Sequence, residues 1–165
     1  MTEHGLYIIK KEYLELVKSL GGDCDYNNGN KRPIYCCIKD NKIEYLYWAI
    51  PTSDLKHRTN EQKMYYEKCL EMPNEDLRSC YYHIGRTTKP ALYKISSCYP
   101  ITEKYIDHEF ISCEKHVIIR RAETIKELER KLKRILAFES RRPNYFKQHI
   151  TEIKNYLIKE LENYK

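Results

Sequence analysis

Pro33-Ile-Tyr-Cys-Cys-Ile-Lys39, then Asp40-Asn41, then Lys42-Ile-Glu-Tyr-Leu-Tyr-Trp-Ala-Ile50 is the stretch that decides the fold class. Two β-branched and aromatic runs flank a dipeptide that tolerates left-handed backbone, so the segment predicts an antiparallel hairpin whose second strand ends at Pro51. Upstream, Gly5-Leu-Tyr-Ile-Ile9 reads as a short strand, and Lys11 to Leu20 carries helical spacing until Gly21-Gly22 stops it. Residues 23 to 32 read as a polar loop. Downstream, helices are expected over Asn60 to Glu71 and around Glu75 to Tyr82, and strands over Ala91 to Ile95, Ser97 to Ile101 and, more weakly, Val117 to Arg120.

Two amphipathic helices close the chain. Thr124 and Glu127 read as a capping box ahead of Ile125, Leu128, Leu132, Ile135 and Leu136, and Pro143 suits the first turn of a helix through Phe146, Ile150, Ile153, Leu157 and Leu161. Short strands interleaved with helices predict an α+β fold: a compact, bent antiparallel sheet or small barrel with peripheral helices and two C-terminal helices, as a single domain over residues 1–165.

The 165 residues carry 30 Lys+Arg against 24 Asp+Glu, a formal net charge of +6. The excess is C-terminal: residues 121–165 hold 12 basic and 7 acidic side chains, whereas residues 1–120 are nearly balanced. On the first of the two closing helices Lys126, Arg130, Lys133 and Arg134 fall within a sector of roughly 100°, with Arg120-Arg121 before it and Arg141-Arg142 after it. Such a stripe suits a phosphate backbone; the bland alternative is a solvated face laced by Glu127–Lys131 and Glu129–Lys133 pairs. Tyrosine supplies 16 of the 20 aromatic residues, and rings beside a basic surface fit single-stranded RNA, although most are expected in the core.

The longest stretch without charge, Tyr45 to Ser53, has nine residues, about half of what a membrane-spanning helix needs. Charges at Glu3, Lys10, Lys11, Glu12, Glu15 and Lys18 break any secretory signal, which predicts a cytoplasmic location. The seven cysteines lack a Cys-x-x-Cys and the six histidines lack ligand spacing, so reduced thiols and no metal centre are expected. No phosphate-cradling glycine motif is present, and no nucleotide cofactor is implied.

Directly after the hairpin comes Ile50-Pro51-Thr52-Ser53-Asp54-Leu55-Lys56-His57-Arg58. Two hydroxyls can hold non-bridging phosphate oxygens, cations can stabilise a pentacovalent transition state, and an imidazole can move protons. In RNA the 2′-hydroxyl is itself the nucleophile, so the chemistry requires neither metal nor covalent intermediate. The structural alternative is a polar turn with Ser53 or Asp54 as a helix cap.

These residues resemble a known family, the ribonuclease toxins of type III toxin–antitoxin systems (the ToxN/AbiQ group), and most closely its CptN branch. Tyr-Ile-Ile-Lys-Lys-Glu-Tyr-Leu (7 to 14) is similar to the family's opening strand and helix, with Tyr13 at the position of an active-site tyrosine. Lys31-Arg32-Pro33 resembles the basic entry to the first hairpin strand. Pro51-Thr52-Ser53 with Lys56-His57 resembles a Thr/Ser-Ser-Pro-Lys segment, and Leu92 to Ile101 resembles a later strand closing in Pro-Ile. Asp54 departs from the family's proline, and the lysine lies three residues after Ser53 instead of two.

The resemblance implies a Kid/MazF-like toxin fold and a metal-independent endoribonuclease. Such an enzyme leaves 2′,3′-cyclic phosphate, cuts cellular RNA, and processes the small repeated pseudoknot RNA that inhibits it. The implied biology is growth arrest and phage defence by abortive infection. Thr52 and Ser53 are assigned to the scissile phosphate, Lys56 and Arg32 to transition-state charge, and His57 or Tyr13 to proton transfer. RNA contacts are assigned to Lys31, Arg58, Arg120, Lys126, Arg130, Lys133, Arg134, Arg141 and Arg142. By the same resemblance, two toxins assemble with two RNA units. The alternatives are a non-catalytic RNA-binding module and a basic face that docks an acidic protein.

Overall fold

A computed structural model of the protein describes residues 1–23 and 34–164. The predicted hairpin is present as strands β2 (Ile34–Lys39) and β3 (Leu46–Asp54), antiparallel in register from Ile34 opposite Thr52 to Lys39 opposite Tyr47. Its connection is longer than the two residues expected. The Asp40 carboxylate accepts from the Lys42 and Ile43 amides at 2.8 and 2.9 Å and from the Trp48 indole at 2.8 Å, so residues 40–45 form the loop. An Asp side chain that captures two successive amides replaces the tight turn. Burial pushes the Asp40 carboxyl up, but those three donors and Lys154 outweigh it and hold it below the ordinary value.

β3 does not end at Pro51 but runs on to Asp54. One edge pairs with β2. Along the other, Leu46 to Ala49 pair with β6 (Tyr99–Thr102) and Thr52 to Asp54 pair with β5 (Pro90–Lys94). Between these two segments the neighbouring chain leaves the ladder as a 3₁₀ turn, Ile95–Ser97, opposite Ile50 and Pro51. A proline brings no N–H to a ladder, and a sheet accommodates it where pairing is already broken.

The remaining strands are β1 (Leu6–Ile9), β4 (Tyr82–Arg86), β7 (Ile106–Glu109) and the small β8 (Ile111–Ser112) and β9 (Lys115–His116) hairpin. The main antiparallel sheet has the order β4-β5-β3-β2-β1-β7 with β6 beside β3. Its outer strands β4 and β7 do not pair with each other among the described residues, so of the two expected forms, an antiparallel sheet or a small barrel, the sheet is present and the barrel does not close. The rest of the expected class, an α+β fold on a seven-stranded antiparallel sheet, is present.

Four helices cover the sheet: α1 (Lys11–Ser19), α2 (Asn60–Leu70), α3 (Ala122–Arg141) and α4 (Ile150–Asn163). One apolar core joins the sheet to α1, α3 and α4, with Tyr13 and Val17 from α1, Ile50 from β3, Ile135 from α3 and Leu157 from α4 all buried. The described cysteines are unpaired, and all but Cys113 are buried. No described helix is long and apolar enough to cross a membrane.

The helix ends differ from the expected ones. α3 starts at Ala122 behind Arg121, so Thr124 lies buried in the first turn instead of capping it, and Glu127 pairs with Arg130. α4 starts at Ile150, not Pro143, because Asn144, Lys147 and His149 adopt left-handed backbone and the Glu139 carboxylate accepts from the Asn144 amide at 2.7 Å. The helix expected to reach Tyr82 is a 3₁₀ turn, Leu77–Cys80, followed by β4. Of the strand expected at 117–120, one bridge remains, Ile118 to Gly5.

Candidate active site at the end of strand β3

The last three residues of β3 and the turn behind them hold most of the predicted chemistry. Side chains alternate across a strand, so Thr52 and Ser53 point to opposite faces. Thr52 Oγ1 donates to the Ile34 carbonyl at 2.9 Å and thus closes the hairpin end. Ser53 Oγ is buried and has no hydrogen-bond partner. Asp54 caps the 3₁₀ turn Leu55–His57: its carboxylate accepts from the Lys56 amide at 2.8 Å and meets the Lys89 ammonium at 3.3 Å. The Lys56 amide, with Lys89 behind it, holds that carboxyl below its ordinary value. Of the two capping candidates, Asp54 takes the role, and the Ser53 hydroxyl is left over.

Lys56 and His57 are exposed on this turn, and Arg58 is half-buried after it. Thr59 and Gln62 then form a reciprocal capping box at the start of α2, at 3.2 and 3.0 Å. Thus residues 54–62 are pinned by two successive caps, which fixes where Lys56 and His57 leave the backbone.

Tyr13 is not part of this group. It is 1% exposed, its hydroxyl donates to the Pro100 carbonyl, and its ring lies 5.2 Å from that of Tyr105. Pro100 pairs with Trp48, four residues before Thr52 on β3, which places the Tyr13 contact about 13 Å along the strand from Thr52. A buried ring with its hydroxyl engaged serves the core. Lys31 and Arg32 lie outside the described residues.

The basic stripe on α3 is only partly as expected. Lys126 and Lys133 are exposed, as are Arg120, Arg141 and Arg142. Arg130 forms a two-pronged pair with Glu127 at 3.0 and 3.1 Å, and Arg134 donates to the carbonyls of Asn74 and Glu75. The predicted sector straddles the border of the packed face, so two of its four cations are used within the molecule. The expected Glu127–Lys131 and Glu129–Lys133 pairs are likewise replaced: Glu129 meets His4 at 2.9 Å, and Lys131 is buried.

Lys131 and His83 are the residues that sequence reasoning missed. Lys131 is 4% exposed, its ammonium donates to the Tyr82 carbonyl at 2.8 Å, and burial lowers its pKa despite Glu127 nearby. Burial first, then the Lys131 charge, pushes the His83 imidazole down to about 4. His83 pairs with Tyr93, which pairs with Thr52, so the three form one row across β4, β5 and β3, the His83 and Tyr93 rings 5.8 Å apart. One signal was legible: at 100° per residue Lys131 falls about 40° from Ile135, at the edge of the apolar arc of Leu128, Leu132 and Ile135 and not on the opposite face. Nothing local marks His83.

Two adjoining surface cavities, of about 350 and 410 Å³, lie at the end of α4 around Glu160 and Tyr164 and contain none of the predicted site residues. Among the described residues, Glu3, His4 and Glu129 bring three metal-type donor atoms within 4.8 Å of one another, and none belongs to the predicted site. The chain matches no protein-family model and no curated protein, so the likeness to the type III toxins rests on the motifs quoted above.

Proposed function

We propose that the protein is a metal-independent endoribonuclease that cleaves RNA by attack of the 2′-hydroxyl on the adjacent phosphorus. The observation that carries this reading is the Ser53 hydroxyl: enclosed, without a partner, and three residues from an exposed lysine and four from an exposed histidine. A buried hydroxyl with no hydrogen bond costs about 1–3 kcal/mol, and a catalytic role is one of the few reasons for which such a cost is kept. Ser53 then holds a non-bridging oxygen, Lys56 and Arg32 neutralise the transition state, and His57 transfers the proton. Because Oγ is enclosed, the surrounding side chains must shift for a phosphate to reach it.

The biological role that goes with this chemistry is that of a type III toxin acting on cellular RNA in the cytoplasm. Its inhibitor would be a small repeated pseudoknot RNA that it also processes, held in an assembly of two proteins and two RNA units. The exposed cations Arg120, Lys126, Lys133, Arg141 and Arg142 supply the RNA-binding charge.

Ser53→Ala is the direct test. Cleavage of labelled RNA should fall about a hundredfold, and growth arrest on expression without antitoxin RNA should disappear. Stability should hold or rise by up to about 1 kcal/mol, since an unsatisfied polar atom is removed. Full activity with the variant would overturn the assignment, as would loss of cleavage in excess EDTA. A second reading, RNA binding without cleavage, is favoured by Thr52 Oγ1, which is engaged with the Ile34 carbonyl. Mapping product ends separates the two: a 2′,3′-cyclic phosphate supports the nuclease, and intact RNA supports the binding module.

A further inference from the structure

Aromatic rings from α2, α3, β4 with the residue before it, and the segment ahead of α4 touch in one continuous band. Tyr65 and Tyr66 of α2 meet Tyr82, Tyr82 meets Tyr81, Tyr81 meets Phe146, and Phe146 meets Tyr145 and Phe138, with successive centroids 4.7–6.4 Å apart. The middle of the band is packed, but Tyr145 is 48% exposed at one end. It stands edge-on against Phe138 at 4.7 Å and against Phe146 at 5.1 Å, on a backbone fixed by the Glu139–Asn144 hydrogen bond. The ring is therefore held in place before anything binds it.

Arg141 and Arg142 flank that end, each guanidinium 6.0 Å from the centre of the Phe138 ring, and both are exposed. Neither forms an ion pair with a described acid. A preset exposed ring beside two exposed guanidinium groups that have no described acidic partner calls for an occupant that offers a flat π-face and two anions. A duplex supplies anions with its bases hidden, and an acidic protein supplies carboxylates without the stacking partner. An unpaired nucleic-acid strand supplies both.

We propose that Tyr145, Arg141 and Arg142 form a docking point for an unpaired RNA segment, with a base stacked on Tyr145 and the flanking phosphates on the two arginines. The docking point rests on the reading of the protein as RNA-binding and adds to it where on the molecule, and in which conformation, the RNA is held.

The test titrates the full chain, carrying Ser53→Ala to prevent cleavage, with a short fluorescent oligouridylate and with an RNA duplex of equal length. Adding Tyr145→Ala should weaken single-strand binding about tenfold and leave duplex binding unchanged, while Tyr145→Phe should bind as the parent does. Arg142→Glu, which leaves the ring in place, should weaken both ligands, and Arg141→Ala with Arg142→Ala should reduce the salt dependence by about two units of slope. Unchanged single-strand binding by Tyr145→Ala overturns the docking point and leaves the RNA reading standing. Failure of the parent to bind either RNA overturns both. Self-association of the parent that Tyr145→Ala abolishes would give the ring to a second copy of the chain and also overturn the proposal.

Discussion

Thr52 and Ser53 are adjacent hydroxyls with opposite fates: one closes a hairpin, the other is enclosed with nothing to bond. His83, in the same row as Thr52, is a third polar group whose state is set by its surroundings. Its pKa lies near 4, below its ordinary 6.5. Between those two values the unfolded chain takes up a proton that the folded chain refuses. Folding stability is therefore fully present above pH 6.5 and falls as the pH drops towards 4. The imidazole is partly exposed and solvent screens it, so the loss should be about 1–2 kcal/mol. Urea unfolding of wild type and His83→Gln at both ends of this window checks it: the acid loss should shrink in the variant, and equal slopes would refute it. None of this was legible in the sequence, because the burial of His83 comes from α3, some fifty positions further along the chain.

At the scale of elements, legibility followed locality. The hairpin, α1 and the stop at Gly21-Gly22 are each encoded within a few neighbouring residues, and the structure has them. The loop at Asp40 differs because its carboxylate binds Trp48 and Lys154, which no local pattern announces. The start of α4 differs because Glu139, on the preceding helix, fixes the turn before it. Gly21 shows how strict such junctions are: its φ is +90°, and an added Cβ would lie 3.1 Å from His149 Nε2, at the entrance to α4. Gly21→Ala should cost about 1–2 kcal/mol by chemical denaturation, and a neutral result would show that this junction yields.

For the whole molecule, the sequence located the positive charge on α3 correctly but not its use. Helical spacing shows which cations share a sector; only packing decides which of them face solvent. Arg134 ties α3 to residues 74 and 75 through two carbonyls, and Arg134→Ala should therefore lower stability by about 1.5–3 kcal/mol. Lys126→Glu with Lys133→Glu should leave stability within about 0.5 kcal/mol and weaken RNA binding in a salt-dependent way. Calorimetry beside an RNA titration separates the two effects, and a fold indifferent to Arg134 would undo the distinction. The cysteines give the same molecule a further property. Cys36, Cys37, Cys69, Cys80 and Cys98 are buried, and burial pushes the Cys36 and Cys98 thiols up to about 12. An oxidant meeting the native chain finds Cys113 as the sole exposed thiol among the described residues, but each excursion to the open state bares five more nucleophiles at once. Resistance to oxidative damage in this protein is thus inherited from its folding equilibrium, and any substitution that loosens the core also shortens the chain's chemical lifetime.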